Sequence, residues 1–162
     1  MQKRAEATER QKRGDENYLP WMLAGIQEGE RMRLQVPTFV ILPRKTKADK
    51  KIILNLNIYR NMNHILNNQC KKAFYEAFKP EMAKYKQKFT SDKLKFTYTI
   101  TAANKRKFDI ANMLSVIDKF TCDALVKEGF MPDDNWQHLI EVCYKFGGIT
   151  GERTCELLIE IA

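Results

Sequence analysis

The chain has 162 residues, of which 44% are hydrophobic and 30% charged, a composition typical of one globular domain with a sizeable core. No apolar run reaches the roughly 20 residues that span a bilayer, and the opening MQKRAEATERQKRGDE lacks the apolar core of a signal peptide, so we expect a cytoplasmic protein. The four cysteines form no CxxC pair, which disfavours a zinc site or a disulfide framework and favours reduced, mostly buried thiols.

The net charge of +8 is unevenly distributed along the chain. Residues 1–35 carry 7 Lys and Arg against 6 Asp and Glu, residues 36–107 carry 17 against 4, and residues 108–162 carry 4 against 10. The middle segment therefore has a net charge of +13 and the last segment one of −6. A basic segment of this size suits a polyanion such as nucleic acid, because each neutralised phosphate releases condensed counterions.

The first half of the chain contains an arm, a hairpin and a helix. Residues 1–35 mix charges densely and indicate a partly helical arm. VPTFVIL (36–42) and KIILNLNIY (51–59) have the composition of two strands, and the polar loop between them predicts a hairpin. The stretch 64–85 has apolar residues near helical spacing, with Pro80 expected to break or kink the helix.

The second half alternates strands and a helix. LKFTYTITA (94–102) alternates as a strand does, residues 110–128 place their apolar side chains on one helical face, and residues 139–146 and 154–162 alternate again. The order of elements predicts an α/β (α+β) fold: one compact domain over residues 36–162, with a mixed sheet and helices packed on it.

Five aspartates lie among apolar residues in FDIANMLSVIDKFTCDALVKEGFMPDD, residues 108–134. Asp109 and Asp123 are about 21 Å apart along such a helix, too far to share one metal ion, so a second source of carboxylates is needed, and PDD (132–134) can supply it by folding back. A converging cluster would bind Mg²⁺, which prefers oxygen ligands. In the alternative interpretation, Asp109 caps the helix, Asp118 and Asp123 are solvated charges, and PDDN is a turn.

The order of these motifs resembles the RusA-type Holliday junction resolvases. That family has Asp-x-Asp-Asn opening a helix, a Lys on the helix, Asp-Ala-Leu, a Gly and a closing Asp-Asp before a strand. The corresponding residues here are DIAN (109–112), Lys119, DAL (123–125), EGF (128–130) and PDD (132–134), and the resemblance covers residues 37–160.

The chain departs from the family pattern in two ways. Ala111 replaces the second acid, and the distance from Asp109 to Asp123 is about one helical turn longer than in the family. Asn112 could compensate as a neutral oxygen ligand. Asp118 could also compensate if residues 109–114 are not regular helix.

The resemblance implies a Mg²⁺-dependent endonuclease, with Mn²⁺ as a possible substitute, that acts as a homodimer and resolves four-way DNA junctions by paired symmetrical nicks in recombination and repair. It would work in the cytoplasm of a bacterium or of a phage-infected bacterium. Lys119 would contact the scissile phosphate, unless it is an ordinary solvated lysine paired with Asp123. The residues implied as catalytic are Asp109, Asp118, Asp134 and Lys119, and those implied as metal ligands are Asp109, Asp118, Asp133, Asp134 and Asn112.

The basic segment would then hold the junction arms. Lys105, Arg106 and Lys107 directly precede Asp109 and are the first candidates for phosphate contacts, and Arg60, Lys71 and Lys72 extend the track. The alternative is that these charges only keep the surface soluble.

Two other functions remain open. The chain could be a catalytically weak or inactive protein that binds branched DNA, which Ala111 favours. It could also be an RNA-binding protein whose acidic surface has no chemical role.

Overall fold

A computed structural model of the protein describes residues 31–86, 88–89 and 93–162. Residues Arg31–Ala162 form one unit with a mixed α+β fold, which confirms the predicted fold class. Six strands and three helices follow one another in these residues: β1 (Arg31–Gln35), β2 (Phe39–Leu42), β3 (Lys50–Ile53), α1 (Leu56–Arg60), α2 (His64–Met82), β4 (Leu94–Ala102), α3 (Ile110–Lys127), β5 (Leu139–Ile149) and β6 (Cys155–Ile161).

The main sheet has the strand order β1-β6-β4-β5. Strand β6 runs antiparallel to both β1 and β4, whereas β4 and β5 are parallel. Because parallel neighbours require a crossover, α3 connects β4 to β5 and the three elements form a βαβ unit. The carboxyl ends of β4 and β5, and with them the loop after β4, therefore lie at the same end of the sheet.

One face of this sheet forms the core together with the helices. Strand β4 alternates between buried and half-buried residues along its whole length, and Phe96, Tyr98 and Ile100 on its inner face are fully buried. Helices α2 and α3 contribute Phe74 and Phe120, whose rings meet edge to face with centroids 5.6 Å apart. The apolar stripe predicted for residues 110–128 is thus the face of α3 that packs into the core.

The predicted hairpin exists, but its second strand is shorter than expected. Strands β2 and β3 pair antiparallel as a separate two-stranded sheet, with Phe39 opposite Ile53. The prediction of strand through residue 59 is wrong, because the Asn55 side chain accepts a hydrogen bond from the Ile58 N–H and starts α1.

Two further predictions need correction. Residues 31–35, assigned to the arm, form β1, whose Met32 and Leu34 are buried in the core against β6. The remainder of the predicted arm, residues 1–30, lies outside the described residues. Pro80 does not break α2, because the helix continues through it to Met82.

No helix of the described ranges is long and apolar enough to cross a membrane. All four cysteines are free, and three of them are buried, as expected of small apolar side chains.

Candidate functional site

A basic loop and a cavity occupy the carboxyl ends of the parallel strands. The loop begins after β4, and the Asn104 side chain accepts a hydrogen bond from the Arg106 N–H at 2.9 Å, which holds the turn. Next to it is a cavity of about 410 Å³. Its lining comprises the predicted phosphate-binding residues and an apolar group: Asn104, Lys105, Arg106 and Lys107, with Ala102, Phe108, Ile110, Phe146 and Ile149.

The apolar side of this cavity is built from aromatic contacts. The rings of Phe108 and Phe146 lie edge to face with centroids 6.2 Å apart, and the Arg153 guanidinium lies 4.8 Å from the Phe108 ring centre. This cation-π contact adds a positive charge beside the loop cations. The loop therefore joins a cationic group to an apolar wall at one end of the sheet.

Asp109 ends the basic loop and starts α3. Its carboxylate accepts a hydrogen bond from the Asn112 N–H at 3.1 Å, so it caps the helix. The Asn112 side-chain oxygen, in turn, accepts a hydrogen bond from the Leu56 N–H and joins α3 to α1. Both predicted ligands are thus engaged with backbone groups at the helix start.

Asp118 lies on the opposite side of α3 in a half-buried polar cluster. Helix α3 is continuous from Ile110 to Lys127, so the proposed loop or bulge near residues 109–114 does not occur. Nine residues of regular helix place Asp109 and Asp118 about 14 Å apart along the axis and on opposite sides. They do not share one site.

The partners of Asp118 come from β4, β5 and its own helix. The Tyr144 hydroxyl donates to its carboxylate at 3.3 Å and the Cys122 thiol at 3.5 Å, while the fully buried Tyr98 hydroxyl faces it. Burial raises the pKa of Asp118, and these three neighbouring side chains counteract the rise. The negative charge of Asp134 raises this pKa further. Asp118 and Asp134 are therefore close enough for their charges to interact.

The loop 132–135 carries the other two predicted acids. The Asp133 carboxylate accepts hydrogen bonds from the Asp134 N–H at 2.8 Å and from the Asn135 side-chain amide at 2.7 Å, and these bonds lower the pKa of Asp133. Asp133 is thus tied into its own turn, whereas Asp134 is exposed. PDDN therefore forms a local turn held by its own side chains, as in the alternative interpretation.

The remaining predicted residues lie along the outer surface of α1, α2 and α3. Lys119 is exposed, and it forms no ion pair with any other described residue. Asp123 pairs instead with Lys71 at 2.8 Å, so the expected pair of Lys119 and Asp123 is absent there. Arg60 and Lys72 are exposed at the end of α1 and on α2.

The acids fit a magnesium site only in part. Among residues 31–86, 88–89 and 93–162, no three His, Cys, Asp or Glu side chains are grouped so that they could hold a metal ion. Two carboxylates can suffice, because Mg²⁺ is often held by one or two carboxylates completed by water and substrate phosphate. Asp118 and Asp134 are the predicted acids whose charges interact. The ligand roles of all five predicted residues stay predictions: Asp109, Asn112, Asp118, Asp133 and Asp134.

Sequence reasoning missed the side chains that surround Asp118 and the cavity. Tyr98 and Tyr144 are opposite each other on the paired strands β4 and β5, with ring centroids 6.0 Å apart. The alternating sequence of each strand indicates that these tyrosines face the core. Only the pairing of β4 with β5 in the structure shows that both tyrosines lie beside the Asp118 carboxylate.

The sequence matches no protein-family model, and no curated protein is significantly similar to it.

Proposed function

We propose that the protein is a metal-dependent endonuclease of branched DNA that nicks four-way junctions in bacterial recombination and repair. The observation that supports it most directly is that Lys105, Arg106 and Lys107 lie at the carboxyl ends of two parallel strands, beside the helix that carries the acids. Crevices at the carboxyl ends of parallel strands are common ligand sites in α/β proteins. The site would act in the cytoplasm, where its thiols stay reduced.

In this proposal the cations position the DNA backbone. Lysine and arginine side chains beside the cavity would bind phosphates, and Phe108 and Phe146 would offer apolar contact to the adjoining sugar or base. The positive end of α3 would add to the attraction near Asp109. These groups supply binding and orientation without reading the base sequence.

The acids would supply the chemistry. Asp118 and Asp134 would hold Mg²⁺, with Mn²⁺ as a substitute, and the ion would activate water and stabilise the leaving oxygen of a phosphodiester. Lys119 would bind the scissile phosphate and offset its developing charge. Asp109 would contribute only after it leaves its capping position.

A second candidate is a protein that binds branched DNA without cutting it. The separation of Asp109 from Asp118, together with the missing carboxylate at Ala111, favours this function over efficient catalysis. Binding by the basic loop would be the same in both proposals, so only a cleavage assay separates them.

The test is cleavage of an end-labelled synthetic four-way junction in Mg²⁺, Mn²⁺ or EDTA, with linear duplex DNA as the substrate control. The wild type should give paired nicks that need the metal. Asp134→Asn should lower the rate at least about 100-fold, in the range expected when a group that stabilises the transition state is removed. Asp49→Asn, in the exposed loop between β2 and β3, is the matched variant and should cleave normally.

Junction binding without cleavage in either metal would replace the nuclease with the binding protein. Tighter binding to RNA than to DNA, with no preference for the junction over linear duplex, would rule out both and favour an RNA-binding protein.

A further inference from the structure

Strand β5 is an exposed edge of the main sheet. It is 11 residues long, and in the described part of the chain it pairs only with β4. Its apolar side chains remain exposed, with 45% for Ile140, 38% for Val142 and 51% for Phe146. A long apolar edge strand is a template for pairing with another chain, and soluble proteins generally cover or interrupt such an edge.

The sequence of this edge is self-complementary. When LIEVCYKF (139–146) is paired with an antiparallel copy of itself centred on Cys143, apolar residues lie opposite apolar residues and an acid lies opposite a base. Two copies paired antiparallel around a two-fold axis at Cys143 would place Ile140 opposite Phe146 and Val142 opposite Tyr144. Each of these pairs lies on the face that packs against the helices, because directly opposite residues share one face of a sheet.

The charges select this register over its neighbours. With the axis at Cys143, Glu141 of each copy lies opposite Lys145 of the other, so two ion pairs form. An axis at Glu141 or Lys145 would place like charges opposite each other, which is destabilising. An axis at Val142 or Tyr144 would leave both charges opposite uncharged residues, and a shift of a single residue would turn the apolar side chains to the wrong face.

We propose that a second copy of this chain pairs with β5 in this register and joins the two main sheets into one sheet of eight strands. Glu141 already contacts Lys95 of β4 at 3.4 Å, and Lys145 forms no ion pair within the described residues, so Lys145 is available to the second copy. The pairing would satisfy the outer backbone groups of β5 and cover its exposed apolar side chains.

The family resemblance already implies a homodimer; the β5 interface and its register go beyond that expectation and beyond the proposed function, since they follow from β5 alone. This dimer would have a consequence for that function. The carboxyl ends of the two β5 strands would point in opposite directions, which places the basic loops about 40 Å apart at roughly 3.3 Å per residue. Two separated and equivalent sites are what paired symmetrical nicks require.

The experiment is a charge exchange on the full chain, read by sedimentation velocity at micromolar concentration without DNA. The wild type should sediment as a dimer. Lys145→Glu places glutamates opposite each other twice and should raise the dimer dissociation constant about ten-fold or more. The double variant Glu141→Lys with Lys145→Glu restores opposite charges and should return most of the affinity.

Cys143 provides a second readout of the register. Directly opposite residues of an antiparallel pair have Cα atoms about 4.5–5.5 Å apart, within the range that a disulfide spans. A mild thiol oxidant should therefore link two wild-type chains. Cys143→Ser should abolish the link while the dimer persists, and Lys145→Glu should lower its yield. Circular dichroism of each variant checks that the fold is intact.

A monomeric wild type would overturn the proposal. So would a dimer that tolerates Lys145→Glu without loss of affinity and forms no link through Cys143, because its interface would lie elsewhere on the chain. Because neither readout uses DNA or metal, a failure here is separate from any failure of the nuclease assay.

Discussion

At the scale of single residues, Asp118 occupies an environment that disfavours its charged form. Burial raises the pKa of this carboxyl, and the neighbouring Tyr98 hydroxyl together with hydrogen bonds from Cys122 and Tyr144 offsets the rise only in part. The charge of Asp134 adds to it. A bound cation stabilises the charged form of a carboxylate most strongly in such surroundings, which is why Asp118 remains the first candidate for a metal ligand.

We expect Asp118→Asn to raise the melting temperature of the metal-free protein at pH 7 by roughly 2 °C or more, since the amide removes a half-buried charge. The folded pKa of Asp118 lies above its ordinary value of 3.8, so its stabilising contribution is present below that value and is lost as the pH rises through the folded pKa. The difference between variant and wild type should therefore shrink towards pH 4. Thermal unfolding from pH 4 to 7.5 measures it.

Asp49→Asn is the control and should shift the melting temperature by less than about one degree. A lower melting temperature for Asp118→Asn at pH 7 would show that the hydrogen bonds to the charged carboxylate outweigh its desolvation.

At the scale of elements, the start of α3 combines a structural and a proposed chemical role in one side chain. The Asp109 carboxylate caps the helix by accepting from the Asn112 N–H. Substitutions can separate the two roles, because asparagine is a good capping residue but has no negative charge.

Asp109→Ala should lower the free energy of unfolding by about 1 kcal/mol, whereas Asp109→Asn should lower it by much less. Denaturant unfolding of both variants measures the cap. If Asp109 is also a ligand, junction cleavage should fall in both variants to the same low level. Normal cleavage by Asp109→Asn would limit Asp109 to capping.

At the scale of the whole molecule, positive charge is concentrated at three places on the described unit, of which the exposed loop between β2 and β3 is the first. The second is the loop after β4, and the third is the surface of α1 and α2 that carries Arg60, Lys71 and Lys72. By contrast, Arg31 and Arg33 on the edge strand β1 form ion pairs with Glu160 and Glu156. The arginines of β1 therefore offer a charge-matched control for the loop.

Removing Lys105 and Arg106 together by alanine substitution should weaken binding to every DNA sequence and to linear and branched DNA alike. The slope of log affinity against log salt concentration should become shallower by about 0.9 for each DNA phosphate that the variant no longer neutralises. Titrations at several salt concentrations measure this slope. The double variant Arg31→Ala with Arg33→Ala removes the same charge and should leave the slope nearly unchanged. An equal change of slope in both double variants would indicate that DNA responds to the overall positive charge of the protein and that the loop is not a defined binding site.

The sequence by itself determined the elements whose signal is local. Strand β4 and helix α3 were predicted within one residue, because alternation and helical spacing are properties of neighbouring residues. The basic character of residues 36–107 and the acidic residues of α3 were equally visible. The helical period also placed Asp109 and Asp118 on opposite sides of α3, which the continuous helix confirms.

Only the tertiary structure decided which distant residues meet. Tyr144 contacts a carboxylate 26 positions earlier in the chain, and the charge of Asp134, from a separate loop, acts on the same group. The same holds for β1, which is short and depends on its pairing with β6, and for β5, whose position at the sheet edge exposes a self-complementary sequence. These contacts depend on strand order and burial, which act between segments that no local pattern connects.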